Sequence, residues 1–248
     1  MSSDTSSDAT LLVFTLGPAA DSRRRPVLPP RLGGLERGLR WGCLGGILDA
    51  GRDCGVDLAV ATDADLDLPA DVRRVEQSGR TFAARLAGAV RRAESSRPDR
   101  PLVVVGADLP GFRRTHLDDA LARLADDPDA VVVGPSPDGG VYLIAARRPL
   151  AGVFERVEWC REHTRSHLIE VLARRGHRVV LLPPLADLDR PGDLAHLLAG
   201  DRSSGFGPRL ARALREALRR LCRPIAACEI SLPRLDLLRL NPHRGPPA

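Results

Sequence analysis

Aspartates at three separated points of the chain carry the chemistry that this sequence could do. Asp108 follows the apolar run Leu102-Val103-Val104-Val105, and Pro110 then stops the strand, leaving the carboxylate at the strand's C-terminal end. Open α/β sheets place ligands there. A carboxylate in that position suits a divalent cation, which in turn neutralises a diphosphate. Asp138 opens the run Asp138-Gly139-Gly140. Its two glycines permit positive φ and close approach of backbone to a ligand, and the same run makes a tight hairpin turn. Asp187 and Asp189 alternate in an extended segment, so both side chains point one way and could face one cation. Plainer roles stand beside these: a turn or cap for Asp108, and a cap for Asp189 on the helix that Pro191 begins. Asp193, one turn on, suits that helix's N-terminus.

Other candidates are weaker. His163 and His167 share a helix face at i and i+4 but lack an evident third ligand. Cys43, Cys54, Cys160, Cys222 and Cys228 form no C-x-x-C pair and read as reduced thiols packed as small hydrophobes. All 37 basic residues are arginine, the net charge is +5 and the pI is near 9.4. These arginines are spread out and only 3% of residues are aromatic, which argues against nucleic acid; a preference for phosphorylated small molecules would leave the same basic mark.

The elements that must position these residues follow from the apolar pattern. Strands are expected over Leu11–Phe14, Asp57–Ala61, Val72–Glu76, Leu102–Val105, Ala130–Val133, Val141–Ala145 and Arg178–Leu182. Helices are expected over Leu35–Ala50, Thr81–Arg92, Thr115–Ala125 with Thr115 as cap, Thr164–Arg175 and Pro191–Ala199. The stretch from Gly17 to Gly34 holds too many breakers for a helix and reads as a long loop. Strands apolar throughout, alternating with helices, give an α/β fold: a mostly parallel sheet covered on both faces. The Asp138-Gly139-Gly140 turn joins one antiparallel pair within it.

With 248 residues, 43% hydrophobic and 28% charged, the chain suits one large domain with an appendage, not a disordered protein. We expect a disordered tail over residues 1–9, a domain over 10–200, and an appendage over 201–248. The appendage holds an amphipathic helix from Pro208, with Leu210, Leu214, Leu218 and Leu221 on one face, then a Pro-rich tail. That face suits docking on the domain or on a second subunit. No apolar run nears the ~20 residues of a membrane span. The start, MSSDTSSDAT, lacks the marks of a signal peptide, so the expected compartment is the cytoplasm.

The order and spacing of these features resemble one bacterial family, the glycosyltransferase-like proteins of domain of unknown function 2064. The resemblance rests on Gly106, Asp108 and Pro110; on Gly134, Pro135, Asp138, Gly139, Gly140, Tyr142, Leu143 and Ile144; and on Phe154, Trp159, Asp187, Asp189, Pro191, Asp193 and Leu194. Gln77-Ser78-Gly79, followed by Phe82 and Arg85, is similar to the family's Q-x-G-x-x-x-x-R element. The resemblance covers about residues 10–199.

It implies the GT-A fold, the Rossmann-like sheet of nucleotide-diphospho-sugar transferases. It also implies transfer of a sugar from a nucleotide-activated donor to a small acceptor, or the related transfer of a nucleotidyl group. Asp108, Asp187 and Asp189 would then hold Mg²⁺ or Mn²⁺. Gly17, Arg24, Gln77, Gly79 and Arg85 would meet the nucleotide. Asp138 would orient or deprotonate an acceptor beside Gly139, Gly140, Tyr142 and Trp159. The first loop departs from the family's K-x-P-x-P-G-x-x-K-T-R-L. Pro18 is kept, Asp21 replaces the glycine, and Arg24-Arg25-Pro26 stands where Lys-Thr-Arg is expected. Val141 and Cys160 also replace a usual tyrosine and a usual Ser or Thr. A descendant that keeps the fold only to bind a ligand is the alternative from outside the enzymes.

Overall fold

Short apolar segments become strands where both of their faces can be covered, and among the described residues they do so seven times. The strands are β1 (Thr10–Phe14), β2 (Asp57–Thr62), β3 (Val72–Glu76), β4 (Leu102–Gly106), β5 (Ala130–Pro135), β6 (Val141–Ala146) and β7 (Arg178–Leu181). They form one sheet in the order β3-β2-β1-β4-β6-β5-β7, all parallel except β6. The computed structural model describes residues 8–194 and residue 212. The expected disordered start, apart from residues 8 and 9, and nearly all of the expected 201–248 appendage lie outside the described residues, as do Cys222 and Cys228.

Among the described residues, helices accompany the strands: α1 (Pro18–Arg24), α2 (Gly33–Cys54), α3 (Phe82–Ser96), α4 (Arg114–Asp126), α5 (Ala151–Phe154) and α6 (Thr164–Arg174). Alternation along each strand divides the core in two. Leu11 and Val13 of β1 and Val103 and Val105 of β4 pack with residues of α2 and α4, while Leu12 and Val104 pack with α3, α5 and α6. The expected mostly parallel sheet with helices on both faces is the observed one. The Asp138-Gly139-Gly140 turn joins the antiparallel pair β5–β6, with the Ser136 amide donating to Gly140 O at 3.0 Å.

The stretch from Gly17 to Gly34 is not simply a loop. Pro18 opens α1, and Pro30–Leu32 form a 3₁₀ turn. Proline at the first helical position removes a donor that would be unpaired there anyway and presets φ, so these prolines start helices rather than break them. At α4 the His116 ring accepts from the Arg113 amide at 3.1 Å, so Thr115 lies inside the first turn and not at the cap. α3 does carry a threonine cap: Thr81 Oγ1 accepts from the Ala84 amide at 3.1 Å. Of the expected Pro191–Ala199 helix, residues 191–194 are helical and the rest is outside the described residues.

A buried ion pair fixes the chain around the sheet's C-terminal edge. Glu36 and Arg40, one turn apart on α2, are 3% and 4% exposed and pair at 3.2 Å. Glu36 Oε2 accepts from the Val27 and Leu28 amides at 3.1 and 2.8 Å. Arg40 donates to Leu188 O at 2.7 Å and to Arg25 O at 2.5 Å. Val27, Leu28, Leu39, Cys43, Leu188 and Leu194 close a small apolar cluster over the pair. One helix turn thus ties together the segment after α1 and the segment after β7. Removing Arg40 leaves Glu36 buried without its partner and two carbonyls without their donor. Arg40→Ala therefore lowers unfolding stability by about 3–5 kcal/mol in urea denaturation, whereas Arg37→Ala, on the exposed side of the same helix, changes it by less than about 0.5 kcal/mol.

Candidate functional site

Parallel strands bring their C-terminal ends to one edge, and the chain leaves β1 and β4 toward opposite neighbours there. β1 lies between β2 and β4, so the crevice above it is the switch point at which open α/β sheets bind ligands. Asp108 follows β4 at this crevice. Its backbone carbonyl accepts from the Leu188 amide at 2.9 Å, which stitches the Asp187–Asp189 segment alongside. The Leu185 amide donates to Pro135 O at 3.1 Å, which draws the same segment beneath the β5–β6 hairpin carrying Asp138.

The carboxylates that meet are those of Asp138, Asp187 and Asp189, each with an oxygen within 4.8 Å of the others. The expected set was Asp108, Asp187 and Asp189; Asp138 takes the place of Asp108 in the group that converges. The cause is the turn. Gly139 adopts φ +91° and lies so close to Glu162 that a Cβ would collide with its carbonyl oxygen at 1.8 Å. This packing holds the hairpin tip, and with it Asp138, over the crevice. Asp138 Oδ1 accepts from the Gly140 amide at 2.9 Å, so Asp138 serves the turn and the carboxylate group at once.

Asp108 stays beside the group, with Oδ1 2.8 Å from where a Cβ on Gly106 would stand. Burial pushes its carboxyl up to about 7, with the charges of Asp189 and Asp187 adding to the effect. Asp187 is pushed up to about 6 by burial, then by Asp138 and Asp189. A set of carboxylate oxygens is hard and anionic, and it fits Mg²⁺ or Mn²⁺ by chemistry and by number. Among the described residues no other cluster of His, Cys, Asp and Glu meets the same spacing, His163 and His167 included.

The cation bonded to this group is Arg25, the neighbour of the expected Arg24. Arg25 Nη1 donates to both oxygens of Asp189 at 2.7 Å. Arg24, the expected phosphate contact, sits exposed in the last turn of α1. Arg40 holds the Arg25 carbonyl and so fixes which of the two arginines faces the acidic group. Asp21, which replaces the family's glycine, accepts from Thr15 Oγ1 at 2.9 Å. Thr15 Oγ1 in turn accepts from the Gly17 amide at 2.9 Å, so Asp21 braces the first loop.

Gln77 and Arg85 do related work. Gln77 Nε2 donates to Thr15 O and Ala61 O at 2.8 and 2.7 Å. Its Oε1 accepts from Arg85 Nε and Nη2 at 3.0 and 2.6 Å, and Arg85 also pairs with Asp63 at 2.7 Å. These bonds use both amide hydrogens of Gln77, which holds the first loop against β2. Gly79 adopts φ +136° where a Cβ would crowd Ala84. Tyr142, expected beside an acceptor, is instead 2% exposed. Its ring lies on Gly134 and its hydroxyl donates to Pro183 O at 3.2 Å. Trp159 donates to Phe154 O at 2.8 Å and tilts against Phe82, which meets Phe14 edge-on at the end of β1.

The raised carboxyl of Asp108 makes a stability statement. In the folded protein it titrates near 7 instead of 3.8, so without metal the folded state binds the proton more tightly than the unfolded one. Its contribution is fully present below about pH 4 and is lost as pH rises toward 7. In EDTA, Asp108→Asn should therefore raise Tm over wild type by at least about 2 °C at pH 8, with the gain shrinking toward pH 5 in a thermal melt.

Residues 53–161 match the model of a family described as an uncharacterized protein conserved in bacteria, DUF2064. No curated protein matches the chain. Among solved structures, one similar to it is a Desulfovibrio desulfuricans G20 protein assigned to the nucleotide-diphospho-sugar transferases. It is 24% identical, with a TM-score of 0.69 over 86% of this chain and 98% of that one. The Rv0371c homologue of Mycobacterium sp. strain JC1 is 18% identical, with a TM-score of 0.51 over 84% and 98%. The 4-diphosphocytidyl-2C-methyl-D-erythritol synthase of Anaerococcus prevotii DSM 20548 is 9% identical, with a TM-score of 0.50 over 86% and 99%. No described helix is long and apolar enough to cross a membrane. Residues 53–161 are thus similar to the DUF2064 family, and the sheet has the fold of the protein assigned to the nucleotide-diphospho-sugar transferases.

Proposed function

We propose that the chain is a metal-dependent, nucleotide-using transferase that moves a sugar from a nucleoside-diphosphate donor to a small acceptor. The observation that carries this reading is the meeting of Asp138, Asp187 and Asp189 within 4.8 Å, beside Asp108, at the switch point of the sheet. Carboxylates so crowded repel one another unless a cation is shared among them. A bound Mg²⁺ or Mn²⁺ would supply the fixed positive charge against which negative charge grows on the departing diphosphate.

In the transfer itself the bond between the sugar's anomeric carbon and the diphosphate oxygen breaks. A bond from the acceptor hydroxyl to that carbon forms, and the hydroxyl gives up its proton. Asp187 and Asp189 would hold the cation from the segment after β7, and Asp138 would hold it from the hairpin. Asp138 is the exposed member of the three, so it faces an arriving acceptor and can take the proton toward solvent. Asp108, whose carbonyl accepts from the Leu188 amide, keeps that segment in place beside them. Arg25 meets the phosphates, since a guanidinium fork matches phosphate oxygens as it matches a carboxylate. Phe82, 41% exposed, and Trp159 offer aromatic surface for a ring to rest on.

Nucleotidyl transfer is the second reading, supported by the fold shared with the 4-diphosphocytidyl-2C-methyl-D-erythritol synthase. The two differ in what leaves: a nucleoside diphosphate in the first, pyrophosphate in the second. A thermal-shift panel of nucleotide sugars and nucleoside triphosphates with Mg²⁺ or Mn²⁺ tests both. A member of the panel should raise Tm by about 2 °C or more, and Asp189→Ala should abolish the shift. With that ligand and its acceptor, Asp187→Ala should lower kcat by about 100-fold or more. A panel that leaves Tm unmoved throughout would overturn the transferase reading and favour a fold kept for another ligand.

A further inference from the structure

Asp189 has two claims upon it. It belongs to the three converging carboxylates, and its two oxygens are both bonded by Arg25 Nη1 at 2.7 Å. A carboxylate held this way has its lone pairs turned to the guanidinium, and a cation approaching it meets a positive charge already in place. The charge of Arg25 reaches Asp108 and Cys160 as well, so the guanidinium acts on the whole crevice and not on one partner.

The two ends of Arg25 are held very differently. Its backbone is fixed: the amide donates to Asp21 O at 2.9 Å, and the carbonyl accepts from the buried Arg40 at 2.5 Å. Its side chain is 49% exposed, and the ion pair that holds it is of the solvent-screened kind that contributes little. A diphosphate carries more negative charge than one carboxylate and presents the same oxygen geometry to a guanidinium.

We propose that Arg25 is a tethered counter-ion, which occupies Asp189 until a diphosphate draws the guanidinium away and frees that carboxylate for a divalent cation. The inference rests on the transferase reading above and adds an order to it: diphosphate first, cation second, each strengthening the other. Because the coupling is reciprocal, an enzyme without donor binds the metal weakly, and the anionic crevice is kept neutralised between turnovers.

The test uses the full-length chain and two probes taken separately. Mn²⁺ binding is followed by electron paramagnetic resonance without nucleotide, and inorganic pyrophosphate binding by calorimetry in EDTA. Arg25→Gln should tighten Mn²⁺ by about tenfold or more and weaken pyrophosphate by a similar factor. A residue that merely supported the fold would weaken both. Arg25→Lys, which keeps the charge, should leave Mn²⁺ within about threefold of wild type. Asp189→Asn added to Arg25→Gln should cancel the gain in Mn²⁺ affinity. Equal Mn²⁺ affinity in wild type and Arg25→Gln, or pyrophosphate binding unchanged by that substitution, overturns the proposal. Opposed shifts beside a silent nucleotide panel would keep the exchange and remove the transferase reading. A responsive panel with no Mn²⁺ difference would do the reverse.

Discussion

Like charges held close together must be compensated, and the crevice above β1 and β4 holds Asp108, Asp138, Asp187 and Asp189 with the Arg25 guanidinium beside them. The proximity of Asp138, Asp187 and Asp189, and the upward push on Asp108 and Asp187, are two expressions of one constraint. Burial and mutual repulsion leave these groups with an unmet demand for positive charge. Perturbed carboxyls gathered in a cleft are a common mark of a functional site, and here their position at the switch point of the sheet adds a second, independent reason. Everything else near the crevice serves to hold that unfavourable arrangement in place.

The holding is done largely by backbone and by buried polar side chains. Leu188 donates to Asp108 O and Leu185 to Pro135 O, so the segment after β7 is laced to two strands. Arg40, paired with Glu36 inside the protein, grips the carbonyls of Arg25 and Leu188, one on each side of the Arg25–Asp189 bridge. Gln77 pins the first loop to the end of β2. A group of carboxylates built from such parts resists relaxation, which is what preorganised electrostatics requires. It also explains how the first loop departs so far from the family's pattern without losing its place: Thr15, Asp21 and Gly17 form their own brace.

The strands and most helices were legible because their signals are local. An apolar run between proline and glycine, such as Leu102–Gly106, has little choice in a covered sheet. Asp138-Gly139-Gly140 offered two readings, turn or site; the turn is the one observed, and it brings Asp138 within 4.8 Å of Asp187 and Asp189. Which arginine faces the acidic group was not legible. Arg24 and Arg25 are neighbours in sequence, and the choice is made by a hydrogen bond from α2, far along the chain. Tyr142 looked like a site residue by its neighbours in the motif, yet the side-chain-free surface of Gly134 gives its ring a place in the core. One missed signal could have been found. Glu36 and Arg40 share a helix face with Leu39, Cys43 and Ile47, and charges on an apolar face imply a buried pair.

The claim at the centre is that Asp138, Asp187 and Asp189 jointly hold one divalent ion. Crystals grown with Mn²⁺ and pyrophosphate, measured at an energy where manganese scatters anomalously, address it directly. The result predicted is a single manganese peak within bonding reach of oxygens from all three aspartates, with pyrophosphate on its open side. Manganese found elsewhere, or a crevice in which the three carboxylates have moved apart around no ion, would contradict it.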